Sequence, residues 1–159
     1  MADTLGWAVT AEQVKTLNGI LAELLIQSEA DGVFMSDYGG NLIAYSTSED
    51  EDDSMHTMSA LAAGSFVATR ELAGLIGETA FQSMFHQGSL ASIYIHCVLD
   101  RYLLLVVFKS NTTAGLVKLY VQKTHDALAP VVEAMEAQSA NAAKGAVFEF
   151  NEDSSASIF

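Results

Sequence analysis

Between Ser54 and Gly77 the chain keeps a helical period while offering solvent almost no charged side. At 100° per residue, Met55, Met58, Leu61, Ala62, Ser65, Thr69, Leu72 and Ile76 share one side, as a helix packed on a sheet requires. The opposite side reads Ala60, Ala63, Gly64, Val67, Arg70, Glu71 and Gly74, mostly small residues that let a second backbone approach closely. Two arrangements satisfy this pattern: a helix buried all round within one subunit, or a helix whose two faces meet a sheet and another chain. The second is preferred, because a stripe of this kind left open is an interaction surface.

What flanks this helix is also periodic. Thr10 is a helix N-cap, followed by Val14, Leu17, Leu21, Leu24 and Leu25 at helical spacing up to Glu29. Val33 to Ser36 and Leu42 to Ser46 are apolar runs joined by Asp37-Tyr38-Gly39-Gly40-Asn41, which predicts a hairpin. After Gly77, the segment Phe81 to Gln87 and the β-prone runs Ser92 to Val98 and Tyr102 to Phe108 predict a three-stranded meander. Asn111-Thr112-Thr113 supplies capping groups for a last helix carrying Leu116, Leu119, Tyr120, Leu128, Val131, Val132 and Met135 to Gln138. Val117, Leu119 and Val121 also alternate as a sixth strand would, and Pro130 should bend or restart the helix. The expected division is a domain over 1–138 and a flexible tail over 139–159, whose Phe148, Phe150, Ile158 and Phe159 are docking residues.

A chain of 159 residues is one domain, and with half its residues apolar it can bury a real core. Its net charge of −13 must then be segregated to the surface. That charge repels phosphodiesters and anionic headgroups, so nucleic acid and membranes are poor partners and a basic or apolar protein is a better one. Cys97 is the single cysteine, which excludes an internal disulfide, a cysteine zinc site and a CxxC pair, and fits a reducing compartment. The first residues lack a basic leader and the apolar runs Ile20 to Ile26 and Tyr102 to Phe108 are too short to cross a bilayer, so a cytoplasmic protein is expected.

Sites for chemistry are sparse. The acidic run Ser48 to Asp53 lacks the alternating ligands, central Gly and closing Glu of an EF-hand loop, and reads as a solvated linker favouring the following helix N-terminus. His56, His86, His96 and His125 are scattered over different elements without metal-ligand spacing. Cys97 beside His96 in a strand reads as a small buried hydrophobe. No GxSxG, GxxxxGK[ST] or GxGxxG occurs, so no catalytic residue, metal or cofactor is expected and the chain reads as a non-enzyme.

Several strings fall in a telling order: Leu61-Ala62-Ala63-Gly64, Leu72 through Glu78, Phe85-His86-Gln87-Gly88, Ser92-Ile93-Tyr94, Leu104 through Phe108 and Gly115 through Leu119. Together they span about Thr10 to Met135, and in them the chain resembles the Roadblock (dynein light chain) superfamily, within it the MglB family of regulators of Ras-like GTPases of the MglA type. The resemblance implies an α+β fold of order α-β-β-α-β-β-β-α, a five-stranded antiparallel sheet with one helix on one face and the terminal helices on the other. It implies a homodimer pairing its edge strand at Met84, Phe85 and His86, with the second helices side by side as a platform for one GTPase. Ala60, Ala63, Gly64, Val67, Ala68, Arg70 and Glu71 would then be the GTPase-binding residues, activating hydrolysis by positioning the switch regions without an arginine finger. The tail aromatics sit where the family's extension touches its GTPase.

Arg70 also admits a finger supplied in trans, against a surface arginine paired with a neighbouring acid. Other classes remain in play: a Roadblock adaptor that scaffolds motility or polarity complexes, and a small-molecule sensor of the profilin-like or PAS-like kind, for which the sequence offers no polar cluster to orient a ligand.

Overall fold

The computed structural model describes residues 9–156, with side chains through 144. The first helix, α1 (Ala11–Ser28), opens on a capping box in which Gln13 N–H donates to Thr10 Oγ1 at 3.1 Å and Thr10 N–H donates to Gln13 Oε1 at 3.0 Å. It ends at Glu29, whose left-handed conformation (φ 56°) turns the chain into the sheet, and Asn111 Nδ2 donates to the Glu29 carbonyl at 2.8 Å. Strands β1 (Gly32–Asp37) and β2 (Leu42–Thr47) form the expected hairpin, with a bulge between Met35 and Ser36.

Helix α2 (Ser54–Leu75) starts where Asp52 Oδ1 accepts from the Ser54 amide at 2.9 Å. It stops at Gly77, left-handed at φ 84°, where Glu78 N–H donates to the Ala73 carbonyl and Gly77 N–H to that of Gly74, a Schellman ending. The meander follows as β3 (Ser83–Gln87), β4 (Ala91–Val98) and β5 (Tyr102–Lys109). All pairings are antiparallel and the order is β2-β1-β5-β4-β3, so β1, β5 and β4 are interior while β2 and β3 are edges.

The last helix, α3 (Ala114–Ala156), starts with the Leu116 amide donating to Thr113 Oγ1 at 3.2 Å. The strand alternative for Val117 to Val121 is thereby corrected, since Val117 and Val121, four residues apart, are both fully buried on one helix face. Pro130 lies inside the helix on its exposed side, as expected, and the helix continues past it without restarting. The expected end at Gln138 does change: the helix runs on through the alanine-rich stretch, whose side chains carry the highest helix propensity.

Strand alternation splits the core in two. Toward α1 and α3 point Val33, Met35, Tyr94, Val98, Leu104, Val106 and Phe108, meeting Leu17, Leu21, Leu24, Val117, Val121, Leu128, Val132 and Met135. Toward α2 point Phe34, Ile95, Cys97, Leu103 and Leu105, meeting Met55, Ala63 and Phe66. At the hairpin tip Gly40 is left-handed (φ 85°), and a Cβ there would lie 2.5 Å from Ala60 Cα of α2.

Candidate protein-interaction surface

On α2 the sheet contact runs along Met55, Ser59, Ala63, Phe66 and Ala73, all buried. Phe66 centres it, fully buried and packed on Phe81 at 5.3 Å and Tyr38 at 6.3 Å between ring centroids. The sheet-facing meridian is therefore rotated from the one inferred from periodicity. Leu61, Leu72 and Ile76, expected inside, are 70%, 61% and 81% exposed, and Ala63, expected on the outward face, is 1% exposed. The reason is volume: the aromatic ring takes the deepest position, and Ser59, Ala63 and Ala73 let the helix lie close on the strands.

The outward face is consequently more apolar than expected. Ala60, Leu61, Gly64, Val67, Ala68, Glu71, Leu72 and Leu75 are exposed, with Leu75 at 85%. A Cβ on Gly64 or Gly74 would meet nothing within 4 Å. No element among the described residues lies over this face, so the alternative of a helix buried all round does not hold.

Of the two roles considered for Arg70, the structure shows the pairing with a neighbouring acid, which is Asp100. The Arg70 guanidinium folds back over the Tyr38 ring, Nη1 donates to Tyr38 Oη at 2.7 Å, and Nη2 stands 3.4 Å from Asp100 Oδ1. Tyr38 Oη is in turn 3.0 Å from Cys97 Sγ. Burial first, then the Cys97 contact, push the Tyr38 phenol far above its ordinary range, against the opposing pull of Arg70. Burial likewise raises the Cys97 thiol, so it is protonated and no nucleophile at neutral pH. Asp100 and Leu99 both occupy the left-handed region (φ 57° and 51°) in the tight turn closed by Arg101 N–H to Val98 O. The cluster joins a hairpin, a strand, a turn and α2, and adjacency in sequence signalled none of it.

The second surface is the sheet edge. Among the described residues β3 pairs only with β4, leaving its other side unpaired. Met84 is half-buried toward the α2 core, while Phe85 is 44% exposed and stacks on Phe108 at 6.1 Å. His86 is exposed. Phe148 and Phe150 fall within α3 where side chains are not described, and Ile158 and Phe159 lie outside the described residues.

No protein-family model matches this chain, and no curated protein matches it. Solved structures do. MglB of Myxococcus xanthus is 32% identical with a TM-score of 0.74, the alignment covering 80% of this chain and 96% of that one. The chain belongs to the MglB family of Roadblock proteins. The gliding protein MglB of Thermus thermophilus is 28% identical at TM-score 0.74 over the same shares. A Roadblock/LC7 domain from Streptomyces avermitilis, 13% identical at TM-score 0.68 over 73% of this chain and 97% of that one, shares the fold.

This MglB-family chain is thus of the expected α+β, Roadblock-like architecture, and its membership points to a regulator rather than an enzyme. No helix among the described residues is long and apolar enough to cross a membrane. The acidic linker comes together with Asp31 and Lys109 around a 140 Å³ cavity lined also by Glu49, Asp50 and Asp52. Among the described residues no three His, Cys, Asp or Glu converge as metal ligands. The structure does bring His96 and His125 together, a pairing that sequence spacing does not reveal.

Proposed function

We propose that this protein is a homodimeric activator of a small Ras-like GTPase of the MglA type, two subunits serving one GTPase, in cell polarity or gliding motility. The observation that carries the reading is the open outward face of α2, where apolar and small side chains and the bare Gly64 backbone leave a seat for foreign protein. Ala60, Gly64, Val67, Ala68 and Glu71 would make that contact. Edge strand β3 at Met84, Phe85 and His86 would pair with its twin, a two-fold contact that sets the two platforms side by side. The C-terminal aromatics Phe148, Phe150, Ile158 and Phe159 would add a second contact to the GTPase.

Activation would proceed without a finger. Arg70 is already bonded to Tyr38 and faces Asp100 within its own subunit, so reaching a phosphate would mean abandoning both. Its part is to hold the α2 surface in place.

Single-turnover GTP hydrolysis by an MglA-type GTPase, with and without this protein, tests the reading. Acceleration is expected, lost in Gly64→Arg and Val67→Arg while the fold persists. Arg70→Ala should change the rate severalfold, and a loss of about 10³-fold or more with binding intact would reinstate the finger. Binding without any acceleration would make the protein an adaptor that recruits its partner and leaves nucleotide chemistry alone.

A further inference from the structure

His96 on β4 and His125 on α3 meet between sheet and helix, His96 Nε2 standing 3.0 Å from His125 Nδ1 with the rings edge to face at 5.1 Å. His96 is 2% exposed, and Tyr94 of the same strand stacks on it at 6.4 Å. Among the described residues its remaining nitrogen, Nδ1, has no partner, and neither has the buried Tyr94 hydroxyl. Across the sheet, Ser83 of β3 and Leu104 of β5 stand opposite His96 and carry no charge. On α3, Lys123 and Asp126 flank His125 but are exposed. Among the described residues, His125 is the one charge-bearing group that acts on His96.

Two facing imidazole nitrogens at this distance hold one proton between them, one ring donating and the other accepting. A first added proton is accommodated by a change of tautomer, because the charged ring donates to its neutral neighbour. A second places N–H on both sides, removes the bond and leaves like charges in contact in a dry site.

We propose that the His96–His125 pair is a proton-operated latch between β4 and α3, closed at neutral pH and opened when both rings become charged. This goes beyond the GTPase reading and stands whatever docks on α2.

Burial, and then His125, lower His96 to about 4. Because the folded value lies below the unfolded one near 6.5, the unfolded chain binds the extra proton between those limits. The latch therefore contributes fully above about pH 6.5, weakens as pH falls, and is spent below about pH 4. From this site alone the unfolding constant should rise roughly 10²-fold over that window.

Imidazole NMR of the full chain from pH 7.5 to 4 should find His96 neutral at pH 5.5 and titrating near the lower limit. Ordinary titration near 6.5 would overturn the proposal. Hydrogen exchange over the same range should show α3 amides around Thr124 to Leu128 losing protection before those of α1, and simultaneous loss would argue against a latch. The doubly substituted His96→Phe, His125→Leu chain should lose the roughly 10²-fold part of the acid dependence, whereas an unchanged dependence counts against the pair. Should that variant fail to fold, the wild-type titration and exchange order still decide.

Discussion

Helices α1 and α3 lie together over one face of the sheet and hide Leu17, Leu21, Leu24, Val121, Leu128 and Val132 completely, whereas α2 alone serves the other face, and Phe66 is the one large side chain of its own that it hides completely among the described residues. The difference is one of width. Five strands at about 4.8 Å make a layer that two helices roughly 10 Å across can roof, and that one helix cannot. Tyr38, Leu42, Tyr45, Ile93 and Val107 on the α2 side accordingly stay partly exposed. The side with two helices completes itself; the side with one leaves apolar surface both beside the helix and on its back. A homologous copy or a partner protein that lies along α2 would supply the missing cover.

Substitutions within α2 can break this comparison. Phe66→Ala should cost about 3–5 kcal/mol in chemical denaturation, as much as emptying a site on the two-helix side, because the aromatic is fully buried. A loss near 1 kcal/mol would mean the α2 core is looser than its burial implies. Gly64→Ala should stabilise the subunit by about 0.5–1 kcal/mol, since the new methyl meets nothing and helix propensity improves. A net loss would place another backbone against Gly64 in solution and sharpen the docking argument. Leu75→Ser should shift subunit stability by no more than about 0.5 kcal/mol while lowering any self-association measured by sedimentation. An equal loss of stability at all protein concentrations would put that face inside the subunit.

Much of the fold was legible because its signals are local. Thr10 and Gln13 announce a helix start, the Gly-rich turn after Asp37 a hairpin, and alternation from Ser92 to Phe108 two strands. The orientation of α2 was not. A helix apolar on both sides has two nearly equivalent meridians, and what breaks the tie is where the Phe66 ring fits among Tyr38, Phe81 and the strands. Periodicity thus puts Leu61 and Leu72 inside and Ala63 outside, the reverse of their burial. The end of α3 was obscured for the opposite reason, since alanine has strong helix propensity but leaves no apolar period to follow. Contacts made by topology leave no trace in spacing, as with His96 and His125, or Arg70 with Tyr38 and Asp100.

The hairpin tip at Gly40 touches the α2 backbone at Ala60, with no room between them for even one carbon. A side chain at that single position would act as a wedge, levering the N-terminal half of the helix off the strands and tilting its whole outer surface. The geometry of whatever rests on α2 is therefore set partly by a glycine that never meets the visitor.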